Sequence, residues 1–148
     1  GGTAANENLQ STPLAEDGFL YIVDQWGVVY KIDVRSGDMG RIVWRMDPGQ
    51  EKLPLSNRGA ALLGNLVVST ANYPARVIAT DKDTGKVVWE TNLHDQPDVQ
   101  ITAAPLAVKD KIIVGAAGGD RGQRDWLAAL DGASGKLIWR KYDVPAPG

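Results

Sequence analysis

The chain has 148 residues, enough for one ordinary domain, and no cysteine, so neither a disulfide nor a thiolate metal site can form. Its net charge of -2, with the two signs interspersed, excludes the broad basic surface that nucleic acid or an anionic membrane attracts. No apolar run approaches the roughly 18 residues of a membrane span, and the start Gly1 to Asn8 has no basic or apolar signal region. Any export signal is expected to lie upstream or to have been removed already. Seventeen glycines and eight prolines punctuate many short β-branched runs, which points to an all-β architecture.

In chain order, the first strand candidates are Thr12 to Ala15 and Phe19 to Asp24, joined by Glu16-Asp-Gly18. Val28 to Ile32 alternates into Asp33-Val-Arg-Ser-Gly37 and on to a strand ending at Trp44. The pattern returns with Arg58 to Leu63, Asn65 to Thr70 and Val77 to Thr80, then Asp81-Lys-Asp-Thr-Gly-Lys-Val-Val-Trp89. It returns again with Ile101 to Val108, Lys111 to Val114 and Trp126 to Leu130, then Asp131-Gly-Ala-Ser-Gly-Lys-Leu-Ile-Trp139. Asp, Gly and Trp keep identical spacing in the last two copies, whereas the first copy is lengthened in its turn. The aspartate can close an Asx-turn, and the glycine takes the left-handed position that a short hairpin needs.

Four strands per unit at a period of about 45 to 50 residues is the signature of propeller blades. The expected organisation is a partial β-propeller over residues 1–148, with blade-like repeats at about 9–47, 57–92 and 100–143. Trp44, Trp89 and Trp139 are expected to pack between neighbouring blades, each indole N–H finding a backbone partner. Three blades do not close a ring, since about four to eight are needed. The chain is therefore read as a piece of a larger propeller or as one that completes a ring by association, and Pro145-Ala-Pro-Gly148 as an interblade connection cut short.

The remaining signal is Gly115 to Asp131, which places four glycines in eight positions beside an acid and two arginines. Such a loop suits close approach of a flat or anionic ligand to the main chain. A long hairpin loop with no ligand is the alternative. It is not a Walker loop, because no Gly-Lys-Ser or Gly-Lys-Thr follows. His94, the single histidine, reads as a loop residue, Trp26 as a turn residue that is exposed or axial, and the pairs Asp81/Asp83 and Asp95/Asp98 as turn acids.

The tryptophan repeat, Asn57-Arg-Gly59, Ile101-Thr-Ala-Ala-Pro105 and Val114-Gly-Ala-Ala-Gly-Gly-Asp-Arg-Gly-Gln-Arg124, in that order, resemble the quinoprotein alcohol dehydrogenases. These are eight-bladed propellers holding pyrroloquinoline quinone (PQQ) and a calcium or lanthanide ion. The resemblance runs from Leu9 to the proline-rich end and corresponds to the family's early blades. It implies that Arg58 lies beside the quinone, that Thr102 hydrogen-bonds the cofactor, and that the backbone of Gly118 and Gly119 approaches it. Asp120 falls where the family has a metal-ligating glutamate. Ala117 stands where a serine commonly touches the cofactor, and Gln10 where some members place a glutamate. Leu53-Pro-Leu-Ser56 replaces the family's adjacent cysteine pair, so one wall of the cofactor sandwich is missing or rebuilt.

The resemblance further implies a periplasmic enzyme that oxidises an alcohol by hydride transfer to metal-bound PQQ and passes electrons to an acceptor such as a cytochrome c. The catalytic base would come from later blades, and no catalytic residue is expected in this part. The rival expectation is a cofactor-free propeller acting as a protein-interaction scaffold. A third is that copies of the three-blade chain associate with one another.

Overall fold

A computed structural model describes residues 9–145. The expected interblade connection therefore falls, from residue 146, outside the described residues, as does the stretch Gly1 to Asn8. The chain forms three four-stranded antiparallel sheets, each a simple meander: β1 (Leu14–Glu16), β2 (Phe19–Val23), β3 (Val29–Asp33) and β4 (Arg41–Met46); β5 (Ala61–Leu63), β6 (Leu66–Ala71), β7 (Arg76–Asp81) and β8 (Val87–Asn92); β9 (Leu106–Val108), β10 (Lys111–Gly115), β11 (Trp126–Asp131) and β12 (Leu137–Tyr142). These are three propeller blades that do not close into a ring.

The repeated turn forms as its residues require. Asp81 Oδ1 accepts the amides of Asp83 at 2.9 Å and Thr84 at 2.8 Å, and Gly85, at φ 73°, donates to the Asp81 carbonyl. Ser134 Oγ donates to Asp131 at 2.6 Å in the third blade, where Gly135 sits at φ 74°. In the first blade the longer turn closes differently, with the Gly37 amide donating to the Val34 carbonyl at 3.1 Å.

Apolar side chains join one sheet to the next. Tyr21, Val23, Val29 and Met46 of the first blade bury against Val67, Ala71 and Ile78 of the second. Val68, Val77, Ala79 and Trp89 of the second bury against Ile112, Val114, Ala128 and Leu130 of the third. Neighbouring residues of a strand face opposite sides of the sheet, so Val67 faces one blade and Val68 the other. Both faces of the middle sheet are covered, which is why β6 is buried almost continuously rather than at alternate positions.

The tryptophans add a directional bond. Trp44 Nε1 donates to the Lys82 carbonyl at 2.8 Å, and Trp89 Nε1 to the Gly132 carbonyl at 2.9 Å. Each indole lies over the turn glycine of the next blade: a Cβ on Gly85 would sit 2.7 Å from Trp44 Cγ, and one on Gly135 only 2.3 Å from Trp89 Cε3. Trp139 differs. It is 37% exposed on a face that also presents Leu106 and Leu127.

Strand ends depart from the sequence reading. The outer strands run past their tryptophans, to Met46, Asn92 and Tyr142, and β5 and β9 start at Ala61 and Leu106 rather than Arg58 and Ile101. The reason lies in where the backbone donors go: Thr12 N bonds Arg58 O at 3.3 Å, and Arg58 N bonds Thr102 O at 3.0 Å. These groups link blade to blade and so leave their own sheets.

Asp95 fastens the loop after β8 to the third blade. Its carboxylate accepts from Tyr142 Oη, from Trp126 Nε1 at 3.2 Å, and pairs with Arg140 at 2.8 Å. Partial burial acts to raise its pKa, but the Tyr142 hydrogen bond, the Arg140 charge and the Trp126 bond outweigh that and hold it below the ordinary carboxylate value.

Two outcomes are expected in denaturant titrations. Trp89→Phe removes the bond to Gly132 O and part of the packing, and should cost about 2–4 kcal/mol; Gly135→Ala should destabilise too, because its Cβ collides with the indole in a left-handed conformation. Since the folded pKa of Asp95 is depressed, its contribution is complete above about pH 4 and is lost as pH falls through the folded value. Asp95→Asn should therefore flatten the fall in stability across that acid range.

Candidate functional site

In an antiparallel meander successive connections alternate between the two ends of the sheet. The segments 24–28, 47–60, 93–105 and 116–125 therefore gather at one end of the three sheets. There they enclose a cavity of about 380 Å³. Gln10, Arg58 and Thr102 line it, one from each of the three repeats.

Arg58 and Thr102 are held together twice. Besides the backbone bond, Arg58 Nη1 donates to Thr102 Oγ1 at 3.0 Å. The support beneath them is buried. Asn57 Nδ2 donates to Thr70 O at 3.1 Å while its Oδ1 accepts from Gly59 N, which sets the direction of the Asn57-Arg-Gly59 segment. Asn72 treats Ile101 as a strand partner would, accepting its amide at 2.7 Å and donating to its carbonyl at 3.2 Å. Thr70 Oγ1 donates to the same carbonyl. Asn72 is itself anchored through Gln50 Oε1, which accepts the Asn72 amide at 2.7 Å.

The glycine loop is compact. Ala117 forms a two-bond bridge with Gln100, and the Gly118 carbonyl accepts the amides of both Arg121 and Gln123. Gly118 has φ 153°, and a Cβ there would press on Gln123 Cβ at 3.0 Å. Gly119–Arg121 form a single 3-10 turn. Asp120 lies exposed on that turn, and among the described residues no three His, Cys, Asp or Glu side chains group closely enough to hold a metal.

Beyond Gln10, Arg58 and Thr102, further residues line the cavity, some marked in the sequence and some not. Pro54, Leu55 and Ser56 form one wall, so the segment that replaces the cysteine pair does face the cavity. Gln25, Gln100 and Arg121 also line it. Arg121 was within reach of a sequence reading, as it follows Asp120 in the same loop. Gln100 was not, because only the bridge to Ala117 brings it there. Of the other candidates, His94 is exposed in its loop, and Trp26 is half-buried with Lys52 Nζ 5.0 Å from its ring centre. The arrangement offers guanidinium, hydroxyl and carboxamide groups to an acceptor-rich ligand, with an apolar wall beside them.

Comparison with known proteins places this geometry. The family described as outer membrane protein assembly factor BamB matches residues 38–148. The quinohemoprotein alcohol dehydrogenase ADH IIB of Pseudomonas putida is 38% identical over 93% of this chain and 20% of its own length. The structure of the quinohemoprotein alcohol dehydrogenase from Comamonas testosteroni superimposes with a TM-score of 0.86 at 33% identity, over 96% of this chain and 22% of that one. A europium-containing methanol dehydrogenase gives 0.82 at 30% identity, over 95% and 26%. The chain belongs to the PQQ-repeat propeller family whose model it matches, and along its length it is similar to quinoprotein and quinohemoprotein alcohol dehydrogenases. It spans about a fifth of the length of the curated relatives it matches.

Asn72→Ala should cost about 1–3 kcal/mol through the two bonds lost at Ile101. Hydrogen exchange is the discriminating measurement: the amide of Ile101 should lose protection while those of β6 and β7 keep theirs.

Proposed function

We propose that this chain is part of a PQQ-dependent alcohol dehydrogenase, in which it supplies contacts to cofactor and metal but not the catalytic base. The observation that carries the reading is the meeting of Gln10, Arg58 and Thr102, from three separate repeats, around one cavity next to the glycine loop. A cofactor-free scaffold has no need for that convergence.

The residues present fit the cofactor's chemistry. PQQ is a flat tricarboxylate, and when bound it supplies a two-electron acceptor for the alcohol. Arg58 would offer its planar fork to a carboxylate or quinone oxygen, with Thr102 Oγ1 fixing its direction. Gln10 would add an amide at the rim. Ala117, Gly118 and Gly119 would present backbone rather than side chain to the ring system. Pro54 and Leu55 would form an apolar wall in place of the missing cysteines. Asp120 would give an oxygen ligand to calcium or a lanthanide, hard cations that take such donors. A primary or secondary alcohol as substrate, a cytochrome c as electron acceptor and a periplasmic location belong to the same proposal. No helix among the described residues is long and apolar enough to cross a membrane.

The missing partners of the chain are further blades rather than further copies. The exposed Trp139 calls for a free carbonyl one residue after a turn aspartate, as at Lys82 and Gly132. In the first blade the turn is longer and is closed differently, with the Gly37 amide on the Val34 carbonyl. A second copy therefore offers Trp139 a poorer seat than an ordinary blade would.

The test is a titration of the full-length protein, prepared free of cofactor, with PQQ and calcium. The quinone absorbance should become protein-bound, and dye-linked oxidation of alcohols should follow. The 148-residue chain alone should show no turnover. A full-length protein that retains no PQQ would instead favour the scaffold reading.

A further inference from the structure

The eight arginines divide sharply by what they touch. Arg35, Arg41, Arg45, Arg76 and Arg140 each pair with a carboxylate. Arg124 donates to the Val144 carbonyl through two nitrogens and stacks on Tyr142, 4.0 Å from the ring centre. Only Arg58 and Arg121 form neither an ion pair nor a side-chain bond to a backbone carbonyl among the described residues, and both line the same cavity. Arg58 has a neutral hydroxyl as its partner.

The rest of the cavity lining deepens the contrast. It contains carboxamides, hydroxyls, Pro54 and Leu55, and no aspartate or glutamate. Asp120, although adjacent in sequence to Arg121, is not part of the lining. Two cations thus share a small space whose lining, among the described residues, holds no carboxylate to balance them, which raises the local potential and favours a ligand carrying at least two negative groups.

The two come from different parts of the chain. Arg58 arrives on the segment before β5, backed by the buried Asn57. Arg121 arrives from the loop between β10 and β11, closing its 3-10 turn by donating its amide to the Gly118 carbonyl at 2.8 Å. A rigid ligand can therefore be gripped from two sides. The glycine loop thereby has a second use: besides bringing backbone close to the ligand, it carries a guanidinium to it.

We propose that Arg121 is a second carboxylate-binding residue of this cavity, acting with Arg58, so that the cavity selects a flat ligand bearing two or more carboxylates. This rests on the PQQ reading above and adds to it a residue that neither the repeat pattern nor the family resemblance assigns. A guanidinium fork matches a carboxylate through two parallel bonds, whereas an ammonium offers only a point charge.

The experiment uses the full-length protein freed of cofactor, with calcium present, and follows binding of PQQ by the change in quinone absorbance and by quenching of tryptophan fluorescence. The unmodified protein is compared with Arg121→Gln, Arg121→Lys and Arg58→Gln, each first shown to keep the circular dichroism spectrum of the parent. Arg121→Gln should weaken binding about 10- to 100-fold and lower its salt dependence, and Arg121→Lys should recover part of the loss. The trimethyl ester of PQQ, which lacks the charges, should bind Arg121→Gln and the unmodified protein alike. Unchanged PQQ affinity in Arg121→Gln alongside a loss in Arg58→Gln would overturn the role of Arg121 while leaving the PQQ reading intact. Equal weakening toward PQQ and its ester would show Arg121 acting through the shape of the loop, and would overturn the role as well. Failure of the unmodified protein to bind PQQ would overturn the reading and the inference together.

Discussion

The structure depends on one repeated contact: an indole laid flat on the turn glycine of the next sheet, its N–H bonded to the carbonyl one residue after the turn aspartate. At Trp44 and Trp89 that contact sets both the spacing and the rotation between blades. Apolar burial alone is not directional and would let two twisted sheets slide over each other. A hydrogen bond from a rigid bicyclic ring does not allow it. The close fit over Gly85 and Gly135 leaves no room for a side chain, so the donor on one blade and the turn on the next are a matched pair.

Once blade spacing is fixed, the inner segments meet. The amides of Thr12 and Arg58 then reach carbonyls of the following repeat, and the innermost strands are shortened because their first residues bond across blades. Two residues of that inter-blade ladder, Arg58 and Thr102, line the cavity. Asn57, Thr70 and Asn72 are buried polar groups with their partners supplied, and they hold Arg58 and Thr102 from behind. Satisfied networks of this kind fix a geometry that packing alone would leave loose.

Electrostatics separates structure from site. Asp81 and Asp131 are held below the ordinary carboxylate range, Asp81 chiefly by the Thr84 amide and Asp131 chiefly by the Ser134 hydroxyl, and both carboxylates are committed to their turns. Asp95 is committed to the loop clamp in the same way. Against that background the cavity stands apart: among the described residues its lining holds no acid, and neither Arg58 nor Arg121 forms an ion pair.

The blade repeat was legible from the residues because its causes are local: an Asx-turn, a left-handed glycine and period-two alternation act within a dozen residues. Arg58, Thr102 and the glycine loop were legible through their motifs, as was Asp120, which the structure leaves as a single exposed carboxylate. Pro54 to Ser56 were marked as the segment that replaces the cysteine pair, whereas Gln25 and Gln100 were not legible, because nothing local marks them. Neither were Asn72 and Gln50, whose partners lie more than twenty positions away. The sequence by itself determined the strands, the turns and the place of the repeated tryptophan on the last strand of each blade. Only the tertiary structure decided where the inner strands stop and which side chains share the cavity, because both follow from hydrogen bonds between blades that exist only once the sheets are stacked.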